Sequence, residues 1–268
     1  MKKVNLFLLV LAIFMASCGT TRTVPVTGRK QNLVVSDEQM LSLSTQQYNE
    51  YMKKAKKSTN TANTAMVQRV GKKLATAVET YLKQNGLANE LSGYKWEFNL
   101  VKDNSVNAFC MPGGKIVVYE GLLPVTKNET ALAIVLGHEI AHAVAKHSAE
   151  QLSKQYKQQV GMQIGSAVLS AAGMGANTSA LLEWATSIGL QLRNLKYSRD
   201  HENEADHMGL IFAAMAGYNP NEAVTFWQRM AAASGGSSSD FLSDHPSDAK
   251  RVENIKGWLP EALKYYKK

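Results

Sequence analysis

The sequence predicts an α+β domain, mostly helical, with one small β-sheet beside a central buried helix. Three observations predict it. Residues 131–147 (ALAIVLGHEIAHAVAKH) are helical in length and apolar on most faces, as in a helix enclosed by a core. Residues 94–100 (YKWEFNL) alternate like a half-buried strand, and KIVVY at 115–119 is short and β-branched. Helical stretches lie before and after these strands rather than between every pair, which separates helices from sheet.

Taken in order, the chain opens on a segment outside that domain. Lys2 and Lys3 precede an apolar run over 4–14 that is too short for an ordinary spanning helix. Ala16 and Ser17 then lead to Cys18, with Met15 a less usual residue before them. The stretch resembles a bacterial lipoprotein signal (residues 1–17), in which Cys18 is acylated and becomes the anchored N-terminus. An ordinary cleaved signal and an uncleaved anchor are the alternatives. Gly19, rather than Asp, after Cys18 favours the outer over the inner membrane, facing the periplasm. With Cys18 lipidated, Cys110 is the one cysteine left of two, so no intramolecular disulfide forms and a buried thiol is expected.

Residues 18–35 are polar and aperiodic and read as a tether; the domain is expected over 36–268. The formal charge of +8 is spread over many lysines, which suits anionic lipid or envelope polymers and equally a solvated surface. There is no nucleic-acid motif. Ser36 and Gln39 are spaced as a capping box for the first helix, and a second is expected over 64–84, stopped by Asn85-Gly86. Strand candidates follow at 94–100, 106–109 and 115–119, with a Pro-Gly-Gly turn at 112–114. Asn128 is placed to cap the central helix, which is expected to continue to about residue 160. The apolar 161–176 stretch is broken by glycines and too short to span a bilayer; further helix is expected over 179–195.

Within the central helix, His138 and His142 lie four residues apart and project from one face about a turn apart. Two imidazoles so placed suit one zinc ion, whose catalytic sites need a third protein ligand and an open position. Glu139 leans towards that position, where a carboxylate can take a proton from water and return it to a leaving amine. This is the HExxH arrangement of zinc metallopeptidases. The same three residues could serve packing or solvation, but titratable groups on a buried helix require partners. At 197–209 (YSRDHENEADHMG), Glu202 and Asp206 share a helical face. Glu202 can supply the third ligand and Asp206 can accept from the far nitrogen of a ligating histidine. Glu204 lies about 200° round the helix from Glu202.

HEIAHAVAKH together with SRDHENEAD resembles the zinc metallopeptidase family that includes the CAAX prenyl, HtpX, Oma-like and BepA/LoiP-like proteases. PVTGRKQ at 25–31, NAF at 107–109 and the Pro-Gly-Gly turn resemble the Oma-like lipoprotein branch. The resemblance implies a gluzincin-type zincin fold, one zinc ion on His138, His142 and Glu202, Glu139 as general base and acid, and Asp206 behind a ligand. It also implies that Asn107 and Ala108 lie on an edge strand that pairs with an extended polypeptide substrate. Arg199 is expected to hold a carboxylate. In relatives a His-Pro with an arginine six residues on, here His245-Pro246 and Arg251, lies near the metal. His245 is then either a donor to the oxyanion of peptide hydrolysis or an inhibitory occupant of the open position; a helix-entry histidine is the plain alternative. His147, His201 and His207 read as structural or surface groups. The expectation is a lipid-anchored zinc endopeptidase of the bacterial envelope that cleaves misfolded or misassembled proteins. Its rival is an assembly or holding factor with a latent zinc site. Oligomeric state is not legible.

Overall fold

The computed structural model describes residues 20–164, 178–233, 245 and 249–267. Cys18 with its signal, residues 165–176 of the apolar stretch, the 235–239 loop and Pro246 lie outside the described residues. The chain begins with an antiparallel pair, β1 (Thr20–Thr23) and β2 (Lys30–Leu33), with Thr20 opposite Leu33. This corrects the expected tether. Each strand is too short for alternation to stand out in sequence, yet Gln31 and Leu33 are buried while Lys30 and Asn32 are exposed. The turn between them buries Val24 in the main core. The described residues therefore form two small sheets, where one was expected.

The Ser36–Gln39 capping box forms as expected at the start of α1 (Asp37–Lys54). Asn60 caps α2 (Thr61–Gln84), which stops at Asn85 with Gly86 following at φ 73°. The second sheet contains β3 (Glu97–Val101), β4 (Ala108–Met111) and β5 (Lys115–Tyr119) in the order β3-β5-β4. β5 runs parallel to β3 and antiparallel to β4. Along β5 the pleat divides the side chains. Ile116 and Val118 enter the main core, whereas Val117 and Tyr119 join Tyr48 and Phe109 beneath α1.

A short helix, α3 (Leu123–Thr126), leads to α4 (Glu129–Val144), where Asn128 Oδ1 accepts the Ala131 N–H at 2.8 Å. Every residue of α4 from Ala131 to Val144 is buried. Leu132, Leu136 and Ile140 are fully enclosed, each worth about 1.5–3 kcal/mol relative to exposure. The helix does not run on as expected. Lys146 takes φ 54°, and α5 (His147–Ile164) starts in a new direction. α6 (Thr178–Ser187) also ends early, at a turn with Gly189 at φ 63°, after which the 3₁₀ turn Leu192–Asn194 lies against β4. Then come α7 (Arg199–Met215, capped by Ser198), α8 (Glu222–Ala233) and α9 (Ala249–Ala262). No helix among the described residues is long and apolar enough to cross a membrane.

α4 and α7 meet backbone to backbone. A Cβ added to Gly137 would sit 2.8 Å from the Gly209 carbonyl oxygen, and one added to Gly209 would sit 2.7 Å from the His138 nitrogen. With no side chain between them, the helices approach closely enough for groups on their facing sides to share one point in space.

Candidate metal centre

That shared point is where the candidate residues converge. α4 supplies His138 and His142, whose Nε2 atoms are 3.0 Å apart. α7 supplies Glu202, whose carboxylate oxygens lie 3.4 Å from each of those nitrogens. His245 brings Nδ1 to 3.1 Å from His138 Nε2 and 3.0 Å from Glu202 Oε1. All four residues are buried, and their donor atoms fall within 4.8 Å of one another. Nitrogen and oxygen donors about 2.0–2.1 Å from one tetrahedral ion are roughly 3.3–3.4 Å apart. Such closely packed donors fit a metal ion, and without a cation this many buried acceptors would repel one another.

Around them, each donor is oriented by a further contact. Asp206, one turn after Glu202, lies 2.8 Å from His138 Nδ1, so the ring donates there and leaves Nε2 for the centre. Arg251 from α9 donates to both Asp206 oxygens, Nε at 2.7 Å and Nη2 at 2.8 Å, and its Nη1 to the His245 carbonyl at 3.3 Å. The guanidinium lies 3.4 Å from the centroid of the Trp227 ring. Burial works against the charge of Asp206, but Arg251 and His138 outweigh it and hold the carboxyl below its usual range. Glu202 is likewise opposed by burial and held well below normal by His245, His138 and His142. Burial keeps His142 well below the usual imidazole value and thus neutral, the form that ligates.

Glu139 behaves differently. Burial pushes its carboxyl up to about 7, with His245 opposing. Oε1 is buried and has no hydrogen-bond partner among the described residues; His245 Nε2 lies 3.5 Å from it. The Cys110 backbone lies beside the carboxylate and favours its charged form. A buried acceptor left unpaired beside a ligand set is where a water would be received. Ala108 opens the edge strand β4, Asn107 precedes it, and both line a narrow cleft with Glu139, Tyr197 and His245.

The structure thus brings together His138, Glu139, His142, Glu202, Asp206, His245 and Arg251. It does not bring in Arg199, which opens α7 exposed and has no ion-pair partner among the described residues; Arg251 and Arg29 hold the carboxylates instead. Several contributors were not expected. The Tyr197 ring stacks on His142 with centroids 4.2 Å apart, and its hydroxyl lies 2.9 Å from Ser148 Oγ. His147 Nδ1 is 2.8 Å from His142 Nδ1, and burial lowers His147 to about 4. Glu204 lies 2.9 Å from His147 Nε2. Burial works against its charge, but His147 and Arg29 outweigh it and hold the carboxyl at about 2.

Two histidines and a carboxylate on facing buried helices, with a free carboxylate beside them, are the donor set of a metal-dependent hydrolase. The profile of peptidase family M48 matches residues 61–259, and the chain belongs to that family of metallopeptidases. It is 36% identical over 187 residues to the mitochondrial metalloendopeptidase OMA1 of Schizosaccharomyces pombe, covering 69% of this chain and 53% of the relative. Over 190 residues it is 28% identical to the metalloprotease LoiP of Escherichia coli (68% of this chain, 72% of LoiP). A putative beta-barrel assembly-enhancing protease of Vibrio cholerae is 32% identical over 137 residues, or 50% of this chain and 28% of that protein. The chain spans about half the length of the OMA1 relative.

Proposed function

We propose that the protein is a zinc-dependent endopeptidase of the bacterial cell envelope, with zinc held by His138, His142 and Glu202. One observation carries the reading: the unpaired Glu139 oxygen beside three residues, His138, His142 and Glu202, whose donor atoms approach one another at 3.0–3.4 Å. When bound, zinc polarises the scissile carbonyl and lowers the pKa of a coordinated water. Glu139 is placed to accept a proton from the attacking water and return it to the departing amine. Its environment suits both steps, since burial brings the carboxyl close to neutrality. Asp206 keeps His138 in the ligating tautomer. The edge of β4 at Asn107 and Ala108 receives substrate as an added strand, which favours extended, unfolded chain over a particular sequence. Misfolded or misassembled envelope proteins are the substrate class we assign, in keeping with the beta-barrel assembly in the name of one relative. Cys18 is assigned as the lipid anchor after a 1–17 signal, towards the outer membrane.

The test uses the full-length chain in mild detergent, as wild type and Glu139→Gln, with bound zinc and casein cleavage measured in each. Equal zinc with cleavage in the wild type alone supports the reading; absence of zinc from the wild type overturns it. A second reading has its own observation, namely His245 Nδ1 within reach of the same ligand cluster. There His245 fills the open position and holds the protein latent, rather than donating to the oxyanion. Cleavage gained in His245→Ala supports latency, whereas cleavage lost supports the donor role.

A further inference from the structure

The N-terminal hairpin reaches the ligand cluster through a chain of side chains. His142 turns Nε2 to the cluster, so its neutral ring carries the proton on Nδ1. That atom faces His147 Nδ1 at 2.8 Å, which accepts only if the His147 proton sits on Nε2. His147 Nε2 in turn faces the Glu204 carboxylate at 2.9 Å. A single assignment of protons satisfies every link, and it leaves His142 ready to ligate. The far end of the relay is held by the turn between β1 and β2. Thr27 Oγ1 donates to Glu204 Oε1, and Arg29 donates to Oε2 from Nε at 2.9 Å and Nη2 at 2.7 Å. The turn takes φ 67° at Val26 and 70° at Gly28. A β-branched residue holds such a conformation only where its surroundings impose it.

We infer that Arg29 is a positioning residue for the metal centre, acting through Glu204 and His147 to fix which nitrogen of His142 faces the ion. The inference rests on the reading of His142 as a ligand. A neighbouring contact separates this role from simple docking of the hairpin. Gln31 sits on the same hairpin and shares Glu150 with Arg29, which donates to that carboxylate at 3.0 and 2.7 Å. Its Nε2, however, donates only to Glu150 and the Ala145 carbonyl, both at 2.9 Å, and reaches neither Glu204 nor His147.

The experiment measures zinc affinity of the full-length chain by chelator competition, alongside thermal unfolding without metal, for wild type, Arg29→Ala, Arg29→Lys, Gln31→Ala and His142→Ala. Loss of a partner behind a ligand typically weakens metal binding about 10–100-fold. Arg29→Ala is expected to show that loss, Arg29→Lys to fall between it and wild type, and Gln31→Ala to bind within twofold of wild type whatever its unfolding temperature. Should Arg29→Ala fail to fold, the intermediate affinity of Arg29→Lys carries the test. Wild-type affinity in both Arg29 variants overturns the relay, as do equal losses in Arg29→Ala and Gln31→Ala. If His142→Ala binds zinc as wild type does, the metal reading itself fails and takes the relay with it. Loss in His142→Ala with no loss in the Arg29 variants removes the relay alone.

Discussion

Gly209→Ala tests what spaces the ligand helices. The added Cβ would lie 2.7 Å from the His138 nitrogen, 2.9 Å from the Gly137 carbonyl carbon and 3.0 Å from the His138 Cα. All three are backbone atoms, so no side chain can swing away. Ordinary contact begins near 3.4 Å, so α4 and α7 must part by about 0.7 Å in a core with no slack. Glu202 lies seven residues back along α7, about 10 Å of helix, and moves with it unless the helix tilts. Metal sites accept about 0.2 Å of ligand displacement. Overpacking of this kind costs about 1–3 kcal/mol, and each kcal/mol lowers the unfolding temperature by roughly 2–4 °C in a domain of this size. We expect Gly209→Ala to unfold earlier without metal and to bind zinc at least tenfold more weakly. The control is Gly257→Ala on α9, where an added Cβ meets nothing within 4 Å and helix propensity gains about 0.8–1 kcal/mol. Differential scanning calorimetry and chelator competition measure both. A Gly209→Ala variant with wild-type stability and wild-type zinc affinity would show that this contact does not set the spacing of α4 and α7.

Two further outcomes are expected. Glu129 accepts from Arg69 at 3.1 and 2.7 Å and from Tyr218 at 2.9 Å, and its carboxyl is held below the usual range, chiefly by Arg69. A depressed folded value means stability that is present above the unfolded value of about 4.3 and lost as the pH falls through the folded one. Arg69 is half exposed, so Glu129→Gln should cost only about 0.5–1 kcal/mol at pH 7, and melts repeated down to pH 3 should show the gap from wild type closing below about pH 4. Cys110 is 7% exposed and burial pushes its thiol well above its ordinary value. In a Cys18→Ser variant, Ellman's reagent should find no thiol in the native protein and one after denaturation; prompt native reaction would contradict the burial.

Much of the site was legible because its information is local. His138 with His142, and Glu202 with Asp206, are pairs whose spacing matches the helical period, so a one-dimensional pattern already places each pair on one face. Ser36, Asn128 and the KIVVY strand are legible for the same reason. What was hidden depends on a break or on distance. In an uninterrupted helix, His147 would lie about 140° round from His142; the left-handed Lys146 reverses the chain and brings the two rings together. The hairpin was hidden because four-residue strands of polar composition carry too few alternations to register. Arg29 meets Glu204 across 175 residues, a contact no local pattern encodes. Arg199 misled for the opposite reason: its place beside the motif suggested a role that its exposed position does not support.

The long reach of Arg29 has a kinetic side. The centre is closed by Arg29 near one end of the described chain and Arg251 near the other, the latter 113 residues from His138. Contacts of such sequence separation bear the full entropy of loop closure before they return any stabilisation, and they form late in folding. A partly folded chain that lacked these contacts would hold its two histidines on a helix without the groups that orient them. Under the proposed activity, such a chain would complete its cutting site only after it had ceased to be unfolded polypeptide itself, which would spare neighbouring copies as they fold.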